Sequence, residues 1–369
     1  MKTNWIFWAV FTLAGAIHAQ VGTVFEKEGL IFEVKSLIPY HVEVKQNAYP
    51  NAEHVNVPYN VSHGLYNYMV ESIGPQAFEF DELKSIKVSH SVNWLKEACF
   101  RQTKLRRFDC PDELYDIFNS AFNACYDLDS VFTNRMLKRI HEYAFKDCHN
   151  LRYIRFPLTL EYIGPSAFAE CGFDNMVLPD VPFTMAEKAF SGCQNLLQLD
   201  LGSGITNIPS QAFEDAPLPV IIIPDQVKTI GYAAFKRKTT SHKRSLVVIG
   251  SGVTSIAMYA FMTNYGEVTK DIVCWAETPP QCDALAFEEL TYKYGTLYVP
   301  KDCVDIYKEA TTWKMFKNIQ KIDEDIINGI QKVGVGKQSS LNIYNVSGQR
   351  SIGPEHGIQI VGNRKVLVK

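Results

Sequence analysis

The residues with the most chemical potential in this chain are its cysteines, and four of them keep a rhythm. Cys125, Cys148, Cys171 and Cys193 stand 23, 23 and 22 residues apart. In an oxidising compartment such a series could be a disulfide ladder, and thiolates brought to one level could hold a metal. The other reading is a column of small buried side chains, for which free Cys serves well. Ala216 takes the same place in the next unit, which favours packing over chemistry. Cys99 and Cys110 are also repeat positions, and the total of nine leaves at least one thiol unpaired in any case.

Other combinations fail on spacing. His141-Glu142 lacks the second His that a zinc-protease helix needs, and no Cys-x-x-Cys pair exists for a metal knuckle. Gly202-Ser203-Gly204 and Gly250-Ser251-Gly252 lack the spacing of a nucleophile elbow or phosphate loop and read as turns after strands. Cys148-His149 are adjacent, and adjacent residues seldom face each other as a nucleophile and its base must. Asp323-Glu324-Asp325 with Gly329 lacks the terminal Glu of a calcium loop and reads as a solvated linker. The sequence therefore points to no enzyme, no cofactor and no metal.

What remains is a set of residues at outward positions of a recurring strand. The set is Arg107, Asp109, Phe132, Arg152, Tyr153, Arg155, Asn175, Gln198 and Asp200. With Arg106 they make the early coils basic and aromatic, while later coils turn acidic and then apolar at Val220 and Ile222. One reading is a ligand-binding face with Phe132 and Tyr153 as anchors and Arg155 as a polar clamp. The other is an ordinary solvated sheet face.

The elements that would position these residues are repeats. A small residue followed by Phe recurs at Ala77, Cys99, Ala121, Ala144, Ala167, Ala189, Ala212, Ala234, Ala260 and Ala286, at spacings of 22, 22, 23, 23, 22, 23, 22, 26 and 26. In phase with it run Leu151-x-x-Ile154-x-Phe156-Pro157 and Leu196-x-x-Leu199-x-Leu201-Gly202, each with an aliphatic residue seven places after the third apolar position. Each unit reads as one coil of a solenoid. The first stretch is a short strand stopped by Pro, which cannot continue a sheet ladder. The later aliphatic residue turns inward on the opposite side. Segments such as Gly164-Pro165-Ser166-Ala167-Phe168 read as one helical turn with Pro near its start. Phe plugs the core between coils, and stability comes from stacking.

This unit resembles the leucine-rich repeat subclass of BspA-like surface proteins, common in gut and oral Bacteroidetes. Phe32-Glu33-Val34, Val55-Asn56-Val57-Pro58 and Tyr68-Met69-Val70 look like that family's N-terminal β cap. Cys274-Trp275-Ala276, Leu297-Tyr298-Val299-Pro300 and the later Tyr307, Trp313, Phe316 and Ile319 are similar to its closing unit. Ile343 to Arg350 and Gly357 to Val361 resemble a short β module that ends many exported proteins of these bacteria. Gln359 stands where the family usually has Tyr, and Lys236 to Ser245 swells one loop. The resemblance implies a repeat solenoid of the leucine-rich repeat type, with short parallel strands stacked in one face and turns or short helical turns opposite. It also implies macromolecular binding along the strand face, with links to adhesion, although a fold does not dictate function.

The boundaries read as residues 1–19 signal peptide, 20–72 β cap, 73–290 solenoid of about ten units, 291–322 closing cap, and 323–369 linker and β module. The apolar run from Trp5 to Ile17 follows Lys2 and is too short to span a membrane, so cleavage is expected after Ala19. A formal net charge of −3 excludes a basic nucleic-acid binder. The expected protein is an exported monomer, extracellular or at the cell surface with the periplasm as alternative, that binds a protein or glycan. A scaffold of the bacterial envelope without a discrete ligand is the alternative.

Overall fold

In a computed structural model of the chain, residues 20–238, 244–264 and 269–323 are described, together with the paired strands Gly357–Val361 and Arg364–Val368. The expected signal peptide, part of the swollen Lys236 to Ser245 loop and most of the expected linker lie outside the described residues.

Each coil contributes two parallel strands. The first ladder joins His54–Val57 to Ser85–Val88, then Arg107–Asp109 to Ser130–Phe132 and Tyr153–Ile154, then Asn175–Val177 to Gln198–Asp200. Its last section runs from Val220–Ile223 through Arg244–Ile249, Thr269–Cys274 and Thr296–Val299 to Asn318–Lys321. A second ladder of two-residue strands lies on the other side. Trp94–Leu95, Asp116–Ile117, Arg139–Ile140, Tyr162–Ile163 and Thr184–Met185 form one run, and Asn207–Ile208, Thr229–Ile230, Ser255–Ile256 and Gln281–Cys282 another. So short a strand persists because its hydrogen bonds go to neighbouring coils and its second residue, such as Ile117 or Ile140, is fully buried.

The segment read as a helical turn is instead a tight turn with a left-handed residue. Gln76, Ala98, Ser120, Tyr143, Ser166, Lys188, Gln211, Ala233 and Tyr259, each just before the small residue, have φ between 50° and 61°. An L-residue there costs about 1–2 kcal/mol. The offset comes from hydrogen bonds to the next coil. Ser120 N–H donates to Glu142 C=O at 2.9 Å, and Phe122 N–H donates to Ala144 C=O at 2.7 Å. A helix would turn those N–H groups back along its own axis, away from the next coil.

The core is one cluster running from Phe25 to Phe316. Along it, Phe78, Phe100, Phe122, Phe145, Phe168, Phe190, Phe213, Phe235, Phe261 and Phe287 stack ring on ring, with successive centroids 5.0–5.5 Å apart. That spacing is set by the coil rise and is favourable for offset aromatic pairs. Burying each ring is worth about 2–3 kcal/mol. The column ends against Trp313 and Phe316, with Trp313 Nε1 donating to Pro280 C=O at 2.8 Å. At the other end Tyr66–Ile73 carries a cap sheet of Val24–Lys27, Leu30–Leu37, Tyr40–Asn47 and Asn60–His63, and pairs with Trp94–Leu95 through Ser72 and Ile73.

Candidate functional site

Strand pairing on the first ladder brings part of the expected face together. Ser130 lies between Arg107 and Tyr153, and Phe132 is opposite Asp109. The alternation of a β-strand turns Phe108, Val131 and Ile154 toward the core and their neighbours outward. The outward groups then stack. The Arg107 guanidinium carbon sits 4.1 Å from the Phe132 ring centroid, and Phe132 lies 5.2 Å from Tyr153. Three planar groups from three coils thus form one tier on the surface.

The arginines divide into two kinds. Arg107 grips Asp109 on its own strand, with Nη2 and Nε at 2.8 and 3.0 Å from Oδ1. Arg152 Nη1 reaches both oxygens of Asp174 at 2.7 Å. Arg106 and Arg155 are exposed and have no acidic partner within ion-pair distance among the described residues. The free positive charge therefore flanks the aromatic tier rather than running through it.

The rest of the expected face stands apart. No strand pairing joins Tyr153–Ile154 to Asn175–Val177, so Asn175, Gln198 and Asp200 belong to a separate two-stranded sheet, with the Arg152–Asp174 pair reaching across the break. Within that sheet Asn175 is opposite Gln198, and Asp200 opposite Val177. The turn of Gly202-Ser203-Gly204 is held by Asp180, whose Oδ1 accepts from Ser203 N–H at 2.8 Å, and Asp225 does the same for Ser251 at 2.7 Å.

The cysteine series is a buried column of free thiols. Cys125, Cys148, Cys171 and Cys193 Sγ donate to the carbonyls of Phe100, Phe122, Phe145 and Phe168 at 3.0, 3.1, 3.1 and 3.3 Å. Thr103 fills the equivalent place, but its hydroxyl donates to Phe100 C=O within its own turn, the same carbonyl that Cys125 reaches from the next coil. Burial pushes the Cys125 thiol up to about 11 and Cys193 to about 12, which removes them from thiolate chemistry near neutral pH. Among the described residues no group of three or more His, Cys, Asp or Glu is placed to hold a metal.

A polar and aromatic cluster on the second ladder escapes the sequence reading. Phe118 stacks on His141 at 4.8 Å, and buried Asp116 accepts from Arg139 Nε at 2.8 Å. Burial would raise the Asp116 carboxyl, but His141 and the Arg139 guanidinium outweigh it and hold it below its ordinary value. The signal available was the pair of residues flanking each inward aliphatic, such as Asp116 and Phe118 around Ile117.

Parallel ladders on both sides of a phenylalanine column, repeated every 22 to 26 residues, define a leucine-rich repeat solenoid. The chain belongs to the BspA-type leucine-rich repeat family, whose repeat region matches in six copies over residues 60–174, 125–242 and 161–273. Among solved structures, a leucine-rich repeat protein from Bacteroides ovatus is 20% identical, covering 81% of this chain and 76% of its own, with a TM-score of 0.51. A leucine-rich cell surface protein from Faecalibacterium prausnitzii is 16% identical over 84% of this chain and 98% of its own, with a TM-score of 0.42. A search of curated proteins returns no match. No helix among the described residues is long and apolar enough to cross a membrane.

Proposed function

We propose that this protein is an exported, non-enzymatic recognition module that binds a protein or glycan through its first-ladder face. The observation that carries the reading is the tier of Arg107, Phe132 and Tyr153, a planar platform drawn from three coils and flanked by the exposed Arg106 and Arg155. Such a surface offers low ordering cost, because alternate residues of each strand are anchored in the core. Aromatic and arginine side chains are also those most often found at binding hot spots. Export rests on the apolar run before Ala19, and surface display on the resemblance to BspA-like surface proteins. In this reading residues 20–72 and 291–322 cap a solenoid over 73–290, and the protein works as a monomer.

One observation favours the scaffold alternative: Arg107 and Arg152 are neutralised within the molecule by Asp109 and Asp174, as on a plain solvated face. A screen of the purified protein against glycans and extracellular-matrix proteins separates the two. A ligand should bind less tightly as salt rises, because Arg106 and Arg155 are exposed. Tyr153→Ala and Arg155→Ala should each cost more than about 1 kcal/mol of binding. A ligand whose affinity survives the double substitution does not use this face.

A further inference from the structure

The cap carries a feature unrelated to the strand face. Its two hairpins, Leu30–Leu37 with Tyr40–Asn47 and Asn60–His63 with Tyr66–Ile73, end in Ile38 and Leu65. These are 93% and 87% exposed, the highest values among the large apolar residues described. Both tips lie at the same end of the sheet, because the parallel register of His41 with Met69 sets Ile38 level with Tyr66. The Tyr40 and Tyr66 rings meet behind the tips at 5.3 Å, and Tyr68 closes against Tyr40 at 5.7 Å.

The tips project clear of the solenoid. Contacts to the neighbouring coil along Tyr66–Ile73 reach Val70, whose carbonyl accepts from Ser91 Oγ at 2.7 Å. Tyr66 is four residues further out, about 13 Å at the rise of a strand. No Lys, Arg, Asp or Glu occurs in residues 37–40 or 63–66. The acidic and basic groups just behind have partners, Glu71 with the His41 ring at 2.9 Å and Lys35 with Glu33 and Glu43 at 3.1 and 3.2 Å.

We propose that this double tip inserts into a lipid surface, with Ile38 and Leu65 entering the acyl region and Tyr40 and Tyr66 at the headgroup level. An uncharged convex apex of two separate loops suits a deformable bilayer, and amphipathic Tyr rings favour the membrane–water boundary. Binding is weak and reversible. Two aliphatic side chains bring fewer methylene groups than one myristoyl chain, which alone gives about 10⁴ M⁻¹. The inference does not rest on the strand-face reading, and salt separates them: apolar insertion is insensitive to ionic strength, whereas contacts to Arg106 and Arg155 are screened.

The test is flotation with phosphatidylcholine vesicles, using protein that begins at Gln20, the first described residue. The expected result is co-flotation that persists at high salt and falls about tenfold or more in an I38S/L65S variant. Circular dichroism of that variant should be unchanged, since both positions face solvent. Tyr153→Ala with Arg155→Ala should float like the parent. Failure of the parent to float, or equal flotation of I38S/L65S, overturns the proposal. Self-association that I38S/L65S abolishes, without vesicle binding, makes the occupant a second copy and overturns it as well.

Discussion

Raising the pH from neutrality to about 10 should destabilise this protein by several kcal/mol through its column of buried thiols. Cys148 and Cys171 are fully buried, and each Sγ donates to a phenylalanine carbonyl at 3.1 Å. A thiolate has no proton to donate and would face that carbonyl oxygen without water. Burial accordingly pushes both thiols well above their ordinary 9.0, as it pushes Cys125 to about 11 and Cys193 to about 12. Because the folded values are raised, the stability contributed by the protonated thiols is fully present below the unfolded value. It is lost as pH climbs from about 9 toward the folded values. At about pH 10 each thiol accounts for about 1.4 kcal/mol, so the four together account for roughly 5–6 kcal/mol.

An opposing group has to be weighed. Lys270 is buried against Glu288 and Thr263, and burial lowers its pKa from 10.5 to about 8. Its depressed value makes stability rise between about pH 8 and 10.5, by roughly 2–3 kcal/mol up to pH 10. The thiols exceed it. Urea unfolding of the parent and a C148A/C171A variant, followed under reducing conditions from about pH 7 to 10, isolates their part. Ala216 already occupies this column position, so the variant should fold, and it starts less stable. The gap should then close by about 2–3 kcal/mol on reaching pH 10. Parallel stability curves for the two proteins would refute the argument.

Phe145→Ala removes a ring stacked between Phe122 and Phe168 at 5.0 and 5.2 Å and should cost about 3–5 kcal/mol in thermal or urea unfolding, against less than about 1 kcal/mol for half-exposed Phe132→Ala. Ala98→Gly should be neutral or stabilising by up to about 1 kcal/mol, because Ala98 has a φ of 52°; a loss of about 1 kcal/mol would indicate a helical turn instead. The intact mass of the exported protein should correspond to a chain starting at Gln20, and a retained Met1 would defeat the expected cleavage.

The coil was legible because its determinants recur in register. Ile117, Phe122 and Cys125 face inward at fixed offsets, and the same offsets return at Ile140, Phe145 and Cys148. The second ladder was less legible, since a two-residue strand such as Arg139–Ile140 shows no alternation to read. Nothing in the side chains of Tyr143 or Lys188 signals a left-handed backbone, which Gly ordinarily supplies. There the choice is made by hydrogen bonds to the next coil, a non-local effect. At the surface, the neighbourhood of Arg107, Phe132 and Tyr153 follows from repeat register alone. The capture of Arg107 by Asp109, and of Arg152 by Asp174, depends on side-chain rotamers.

Departures from the repeat are the places where selection for stacking alone leaves residues unexplained. Inward positions repeat because each coil must match the next, and the hydrogen bonds of Phe122, Phe145 and Phe168 differ from one another by 0.1 Å at most. Outward positions are under no such demand, so an aromatic tier at Phe132 and Tyr153 is optional for folding. The same holds for Ile38 and Leu65, which bury almost nothing in the folded chain. A single exposed apolar residue on a surface needs no explanation. Two at neighbouring tips, with the partly exposed rings of Tyr40 and Tyr66 meeting behind them, gather apolar surface at one end of the cap, and gathered apolar surface marks interaction sites. The strand-face tier and the cap tip differ in charge, so the partners proposed for them differ in chemistry: a salt-sensitive ligand for the first and a salt-insensitive surface for the second.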